Sequence, residues 1–126
     1  MKARNLLIVD NDRKSRSSLR KLFGDTHYDV DTTSSAAYAI AKIVQGNDPI
    51  VILGDRFEET INVADVVALM KRCNQKLKII LISDDSSLEL LKKMREDGIF
   101  YHAFKPYDKE DNEELISAVQ SAILSH

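Results

Sequence analysis

The sequence predicts an α/β fold, a parallel sheet with helices packed on both faces in one three-layer sandwich. Short runs of β-branched and aliphatic residues alternate five times with segments of helical spacing, as in successive strand–helix crossovers. Three of those runs are apolar throughout, which is how strands covered on both sides read. The length sets the scale: 126 residues suit a single domain, 1–126, able to bury about two-thirds of its surface.

Taken in order, the first strand is "LLIVD" (6–10), and Leu19, Leu22 and Phe23 mark the apolar stripe of the first helix. "YDVDT" (28–32) alternates apolar and polar residues and belongs at a sheet edge. Ala37, Ile40, Ala41 and Val44 mark the second helix, with Ser34 or Ser35 as its cap. "IVILGD" (50–55) is the third strand, followed by a helix striped with Val63, Val66, Val67 and Met70. "KIILIS" (78–83) is the fourth, followed by Leu88, Leu91 and Met94. "FYHAF" (100–104) is the fifth, before a helix carrying Leu115, Val119 and Ala122. The acidic stretch near Asp108 suits that last helix's first turn, where the helix dipole favours negative charge.

Composition narrows the function classes. Cys73 is the single cysteine, which excludes an internal disulfide and a multi-thiolate zinc site. The N-terminal apolar stretch is too short for a signal peptide and no stretch is long enough for a membrane span, so a cytoplasmic setting is expected, with no membrane contact. With 18 basic and 20 acidic residues and a net charge of −2, no nucleic-acid surface is indicated. A partner protein or a small charged ligand fits better.

In open parallel sheets, ligands collect beyond the carboxyl ends of the strands. There the first strand ends in Asp10, Asn11 and Asp12, the third in Asp55, the fourth in Ser83 before Asp84 and Asp85, and the fifth in Lys105 before Pro106. Oxygen donors in that number suit a hard cation, with Mg2+ the usual one. Together with a carboxylate nucleophile, a hydroxyl and an ammonium they form a kit for phosphoryl transfer. No GxxxxGK[ST] loop is present, which argues against a nucleoside triphosphate held on a P-loop.

Asp10-Asn11 after "LLIV", Asp55 after "VILG", Ser83 after "IILI" and Lys105-Pro106 after "HAF", with Gly98 before the last strand, resemble the receiver domains of two-component response regulators. The likeness runs over essentially the whole chain. It implies the flavodoxin-like (βα)5 fold with strand order 2-1-3-4-5. It also implies that Asp55 accepts a phosphoryl group from a sensor histidine kinase or a phosphotransfer protein. By the same resemblance Asp10, Asn11, Asp55 and the backbone carbonyl of Phe57 hold Mg2+, while Ser83 and Lys105 bind the phosphoryl group. It further implies a cis Lys105–Pro106 bond. The output is a changed surface over about 78–123, read by an effector domain or partner protein, with a homodimer among the outcomes it allows.

Several positions depart from the family pattern. Asn11 stands where a carboxylate usually touches the metal; losing one charge-assisted contact weakens Mg2+ by roughly 1–2 kcal/mol, about ten-fold. Asp12 is a candidate to compensate. Asp84 adds bulk and like charge where the family has a small residue, which slows phosphate arrival and removal. His102 takes the place of the aromatic residue that turns inward on activation and so joins the switch residues; read alone, it is a half-buried strand histidine. The loop "RFEETINV" lacks the usual Met-Pro and the later glycine. Summed, these departures open a second reading, a pseudo-receiver that signals by binding without phosphate. A third, a haloacid-dehalogenase-like phosphatase with Asp10 as nucleophile and Asp12 as general acid-base, leaves Asp55 unexplained. On the receiver reading the chain is a phosphoacceptor and no enzyme. Cys73, His27 and His126 are assigned no role.

Overall fold

The computed structural model describes residues 4–24, 28–46, 49–83, 88–104 and 109–125. Five strands alternate with five helices: β1 (Arg4–Val9), α1 (Arg13–Gly24), β2 (Tyr28–Thr33), α2 (Ala36–Val44), β3 (Ile50–Leu53), α3 (Val63–Cys73), β4 (Lys78–Ser83), α4 (Leu88–Asp97), β5 (Tyr101–Phe104) and α5 (Lys109–Leu124). All strand pairings are parallel, in the order β2-β1-β3-β4-β5. That is the expected flavodoxin-like arrangement, with "YDVDT" at an edge.

Side-chain parity explains why the central strands are apolar throughout. Leu7, Val9, Val51, Leu53, Ile79 and Leu81 enter a core shared with α2, α3 and Met94 of α4. Their neighbours Leu6, Ile8, Ile50, Ile52, Ile80 and Ile82 enter a second core with Leu19 and Phe23 of α1 and with Leu115, Ala118, Val119 and Ala122 of α5. Each such side chain contributes about 1.5–3 kcal/mol on burial, so a polar residue at either parity would be costly. β2 has no such burial on either face, consistent with its edge position.

The expected stripes of α3 and α5 are buried, as are Leu19 and Phe23 of α1, with Leu22 partly so. The stripe of α2 is turned by one residue. Ala36, Ala39 and Ile43 are buried and Ile40 partly so, whereas Ala37 and Ala41 are exposed and Val44 is 66% exposed. "AAYAIAKIV" is apolar nearly all round, so spacing does not choose the stripe. Burying Ile43 in place of Val44 hides more apolar area, and the exposed side lets the Tyr38 hydroxyl donate to Asp31, 2.8 Å away.

Gly98 ends α4 with φ +98°, a backbone conformation that favours glycine. Its N–H and that of Ile99 both donate to the Met94 carbonyl. Cys73 is a free, exposed thiol. Among the described residues no helix is long and apolar enough to cross a membrane.

Candidate functional site

β1 and β3 are neighbours in register, Val9 opposite Leu53, so Asp10 and Gly54-Asp55 emerge side by side just past the end of the ladder. The Gly54 N–H donates to the Val9 carbonyl at 2.7 Å, and the Asn11 N–H to the Arg56 carbonyl at 2.9 Å. These two bonds continue the sheet's pairing into the loops and fix one against the other.

Asp10 is 3% exposed. Its Oδ1 accepts from the Asp12 N–H at 2.9 Å. Its carboxyl lies over the bare backbone of Gly54, where an added Cβ would sit 2.6 Å from Asp10 Cγ. A glycine here is therefore a condition for this carboxylate's position. Arg16, one turn into α1, donates from Nη1 to the carbonyls of Asp10 and Asn11 at 2.8 and 3.1 Å. It fastens the β1–α1 loop from the helix side.

Asp12 stands just before α1. Its carboxylate accepts from the Lys14 N–H and the Ser15 hydroxyl, at 3.1 and 2.9 Å. These are the bonds of a helix N-cap, and they engage the carboxylate that the phosphatase reading needs as general acid-base.

The loop after Asp55 is pinned to the start of α2. The Glu58 N–H donates to the Ser34 carbonyl at 2.9 Å, and the Ser34 hydroxyl donates to Glu58 Oε2 at 2.7 Å. Glu59 accepts from the Ser35 hydroxyl (2.6 Å) and from the N–H groups of Ala36 (2.8 Å) and Ala37 (3.0 Å). Ser35 is the N-cap, accepting from the Tyr38 N–H at 3.1 Å. Between them, Ser35 and Glu59 satisfy three of the donors that a helix start leaves open. α2 has no acidic residue in its own first turn; the loop supplies the negative charge. Desolvation pushes the Glu59 carboxyl up, but the hydrogen bonds from Ser35, Ala37 and Ala36 outweigh it and hold the pKa at about 2. The loop then enters α3 through Asn62, whose side chain accepts from the Ala64 N–H at 2.8 Å.

Asp55 is half-buried and borders an open cleft lined also by Asn11, Arg56, Phe57, Glu59, Thr60, Ile61 and Asn62. The Phe57 side chain is buried in the core. Among the described residues no group of three or more His, Cys, Asp and Glu side chains is placed to hold a metal. Of the expected metal ligands, Asn11, Asp55 and Phe57 line this cleft, and Asp10 lies at the adjoining end of β1. All offer oxygens, so the set fits a hard cation such as Mg2+, with Asn11 replacing a charge by a dipole.

Ser83, at the end of β4, is fully buried, and its Oγ lies 2.9 Å from Nε2 of His102 on β5. The sequence singled out both residues; the structure joins them. His102 is half-buried. Burial lowers its pKa, Arg95 on α4 lowers it further, and Glu114 on α5 opposes both. Next to it, the Tyr101 hydroxyl donates to Glu114. Lys105, Pro106 and Asp84, all singled out from the sequence, lie outside the described residues.

With its folded pKa below the ordinary 6.5, His102 is protonated first in the unfolded chain as pH falls, so stability present above pH 6.5 is lost on acidification toward the folded pKa. Urea unfolding at several pH values between about 5 and 8 should show this loss in the parent and a shallower one in His102→Phe. Parallel profiles would refute it.

Gly54, Arg16 and the Glu58-Glu59 pins were not foreseen from sequence. The signal for Gly54 was available: a glycine closing an apolar run immediately before the central aspartate. The pins join residues 22 to 24 positions apart and leave no local pattern.

The family model for the response regulator receiver domain matches residues 6–120. The DNA-binding transcriptional regulator NtrC of Azospirillum brasilense is 29% identical over the whole chain, which spans a quarter of that relative's length. Among solved structures, the signal receiver domain of an HD domain-containing protein from Pseudomonas fluorescens Pf-5 is similar. Its TM-score is 0.83 at 21% identity, with 97% of this chain and 88% of that one covered. A CheY-like receiver domain protein from Methanospirillum hungatei JF-1 has a TM-score of 0.81 at 17% identity, covering 94% and 91%. The beryllofluoride-activated NtrC4 receiver domain dimer has a TM-score of 0.79 at 22% identity, covering 97% and 99%. These likenesses speak to the fold.

Proposed function

The chain belongs to the response regulator receiver domain family of two-component systems, and from that premise we propose that Asp55 is its phosphoacceptor. The observation that carries the reading is the junction of β1 and β3, where the buried Asp10 carboxylate rests on Gly54 beside Asp55. The family is one of signalling domains, and no enzymatic turnover is assigned to this chain.

One carboxylate oxygen of Asp55 forms the new O–P bond as the P–N bond of a phosphohistidine donor breaks. The electron pair leaves with the imidazole nitrogen, which takes a proton from solvent. Asp10, Asn11, Asp55 and the carbonyl of Phe57 would hold Mg2+, which neutralises charge on the phosphoryl oxygens when bound. Lys105 belongs to the same proposal as a phosphoryl-binding group, with Asp84 as a brake on access.

The phosphoryl group brings nearly two negative charges, and its oxygens are acceptors toward which the Ser83 hydroxyl can turn. If Ser83 turns toward them, the 2.9 Å contact with His102 is lost and one tie on the ring is removed. The surface over about 78–123 then changes its affinity for a sensor kinase, an effector domain, a partner protein or a second copy. That change is bounded by how differently the two states bind phosphate. A cytoplasmic location and a single domain over 1–126 belong to this proposal.

Acetyl phosphate with Mg2+, followed by peptide mapping, tests it. A label on Asp55 is expected. A label on Asp10 overturns the assignment, and no label at millimolar donor favours the pseudo-receiver reading that Asn11 already invites.

A further inference from the structure

The loop between β3 and α3 carries the proposed metal-binding carbonyl, Phe57, yet has no proline to restrict its backbone. Its shape is held from outside. On one side, the Arg56 carbonyl receives the Asn11 N–H at 2.9 Å. On the other, Glu58 and Glu59 reach the start of α2 through the five hydrogen bonds described above. Phe57 lies between the two anchorages with its own ring buried in the core, which leaves its peptide oxygen little freedom to turn.

We propose that Glu59, seated on Ser35 and the first N–H groups of α2, is a positioning residue that aims the Phe57 carbonyl and the Asp55 carboxylate at a divalent cation. The inference rests on the phosphoacceptor reading for its purpose and on the hydrogen bonds for its geometry. Glu59 touches neither the cation nor the phosphoryl group. Both of its oxygens are occupied by α2 donors, and its task is to keep the loop from relaxing. Rigid support of this kind counts for more here than in a site with three carboxylates, because Asn11 contributes no charge to hold the ion by attraction alone. Glu58 reinforces the anchorage through Ser34 alone among the described residues, so its removal is expected to matter less.

The test measures Mg2+ affinity by following amide chemical shifts during titration of the parent, Glu59→Ala, Glu59→Gln and Val119→Ala. Val119 is fully buried on α5, in the core on the other sheet face, so its truncation destabilises without touching the loop. Glu59→Ala is expected to weaken Mg2+ about 10–100-fold, the usual cost of losing a group that orients a metal ligand. Glu59→Gln keeps one acceptor oxygen and should fall between Glu59→Ala and the parent. Val119→Ala should lower the melting temperature and leave affinity near the parent's. If Glu59→Ala changes affinity no more than Val119→Ala does, Glu59 is merely structural and the proposal fails. A parent that binds Mg2+ but takes no phosphoryl group defeats the phosphoacceptor reading and leaves Glu59 to be judged on affinity. A parent indifferent to Mg2+ overturns both.

Discussion

Replacing Gly54 with alanine is expected to disable the site while leaving the sheet in place. The new Cβ would lie 2.6 Å from Asp10 Cγ, 2.7 Å from Oδ2 and 3.0 Å from Oδ1, well inside van der Waals contact. Asp10 is short and 3% exposed, so relief means rotating its carboxyl away from Asp55 or prising β1 from β3. Overpacking of this kind costs about 1–3 kcal/mol. Displacing one charged ligand should weaken Mg2+ by about ten-fold or more, since a charge-assisted contact contributes roughly 1.5–3 kcal/mol. Gly24 provides the control, because among the described residues an added Cβ there meets nothing within 4 Å. Gly24→Ala should be neutral or stabilising by up to about 1 kcal/mol. Calorimetry with Mg2+ titration of both variants checks the pair. A Gly54→Ala protein as stable and as avid as its parent would show that Asp10 does not depend on that bare backbone.

Asp55→Asn is expected to remove phosphoryl uptake altogether. The amide is nearly the same size as the carboxylate, and Asp55 is only half-buried, so stability should shift by no more than about 0.5 kcal/mol. An amide oxygen is a poor nucleophile toward phosphorus and brings no charge to the cation. Phosphate-dependent dimerisation or partner binding should vanish with it. Mass spectrometry after treatment with donor gives the first readout, and sedimentation with and without donor the second. An Asn variant that responds as the parent does would remove Asp55 from the centre of the mechanism.

Much of the fold was readable from periodicity because parallel strands buried on both sides leave an unbroken apolar signal. β3 is the clearest case: all four of its residues are buried. The stripe of α2 was misread by one position, since an alanine-rich helix is nearly apolar all round and tertiary packing selects the face. The candidate residues Asp10, Asn11, Asp55 and Ser83 lie at or just past strand ends, with Ser83 beside His102 of β5, which is why spacing together with family likeness pointed to them. The capping contacts of Asp12 were not foreseen. Its position before a helix is equally that of an N-cap, and capping is what its oxygens do. The contacts that hold the loop after Asp55 were invisible because they join distant residues, such as Glu59 to Ser35, and distance along the chain erases any periodic trace.

The borrowed carboxylate at the head of α2 also ties this helix's fate to a segment synthesised later. Ala36 and Ala37 have their amide protons covered only once residue 59 has arrived, so β2, α2 and the stretch beyond β3 are expected to open and close together as one cooperative piece. Deuterium uptake at those two amides thus becomes a remote gauge of order beside Asp55, readable without any donor, ion or partner in the tube.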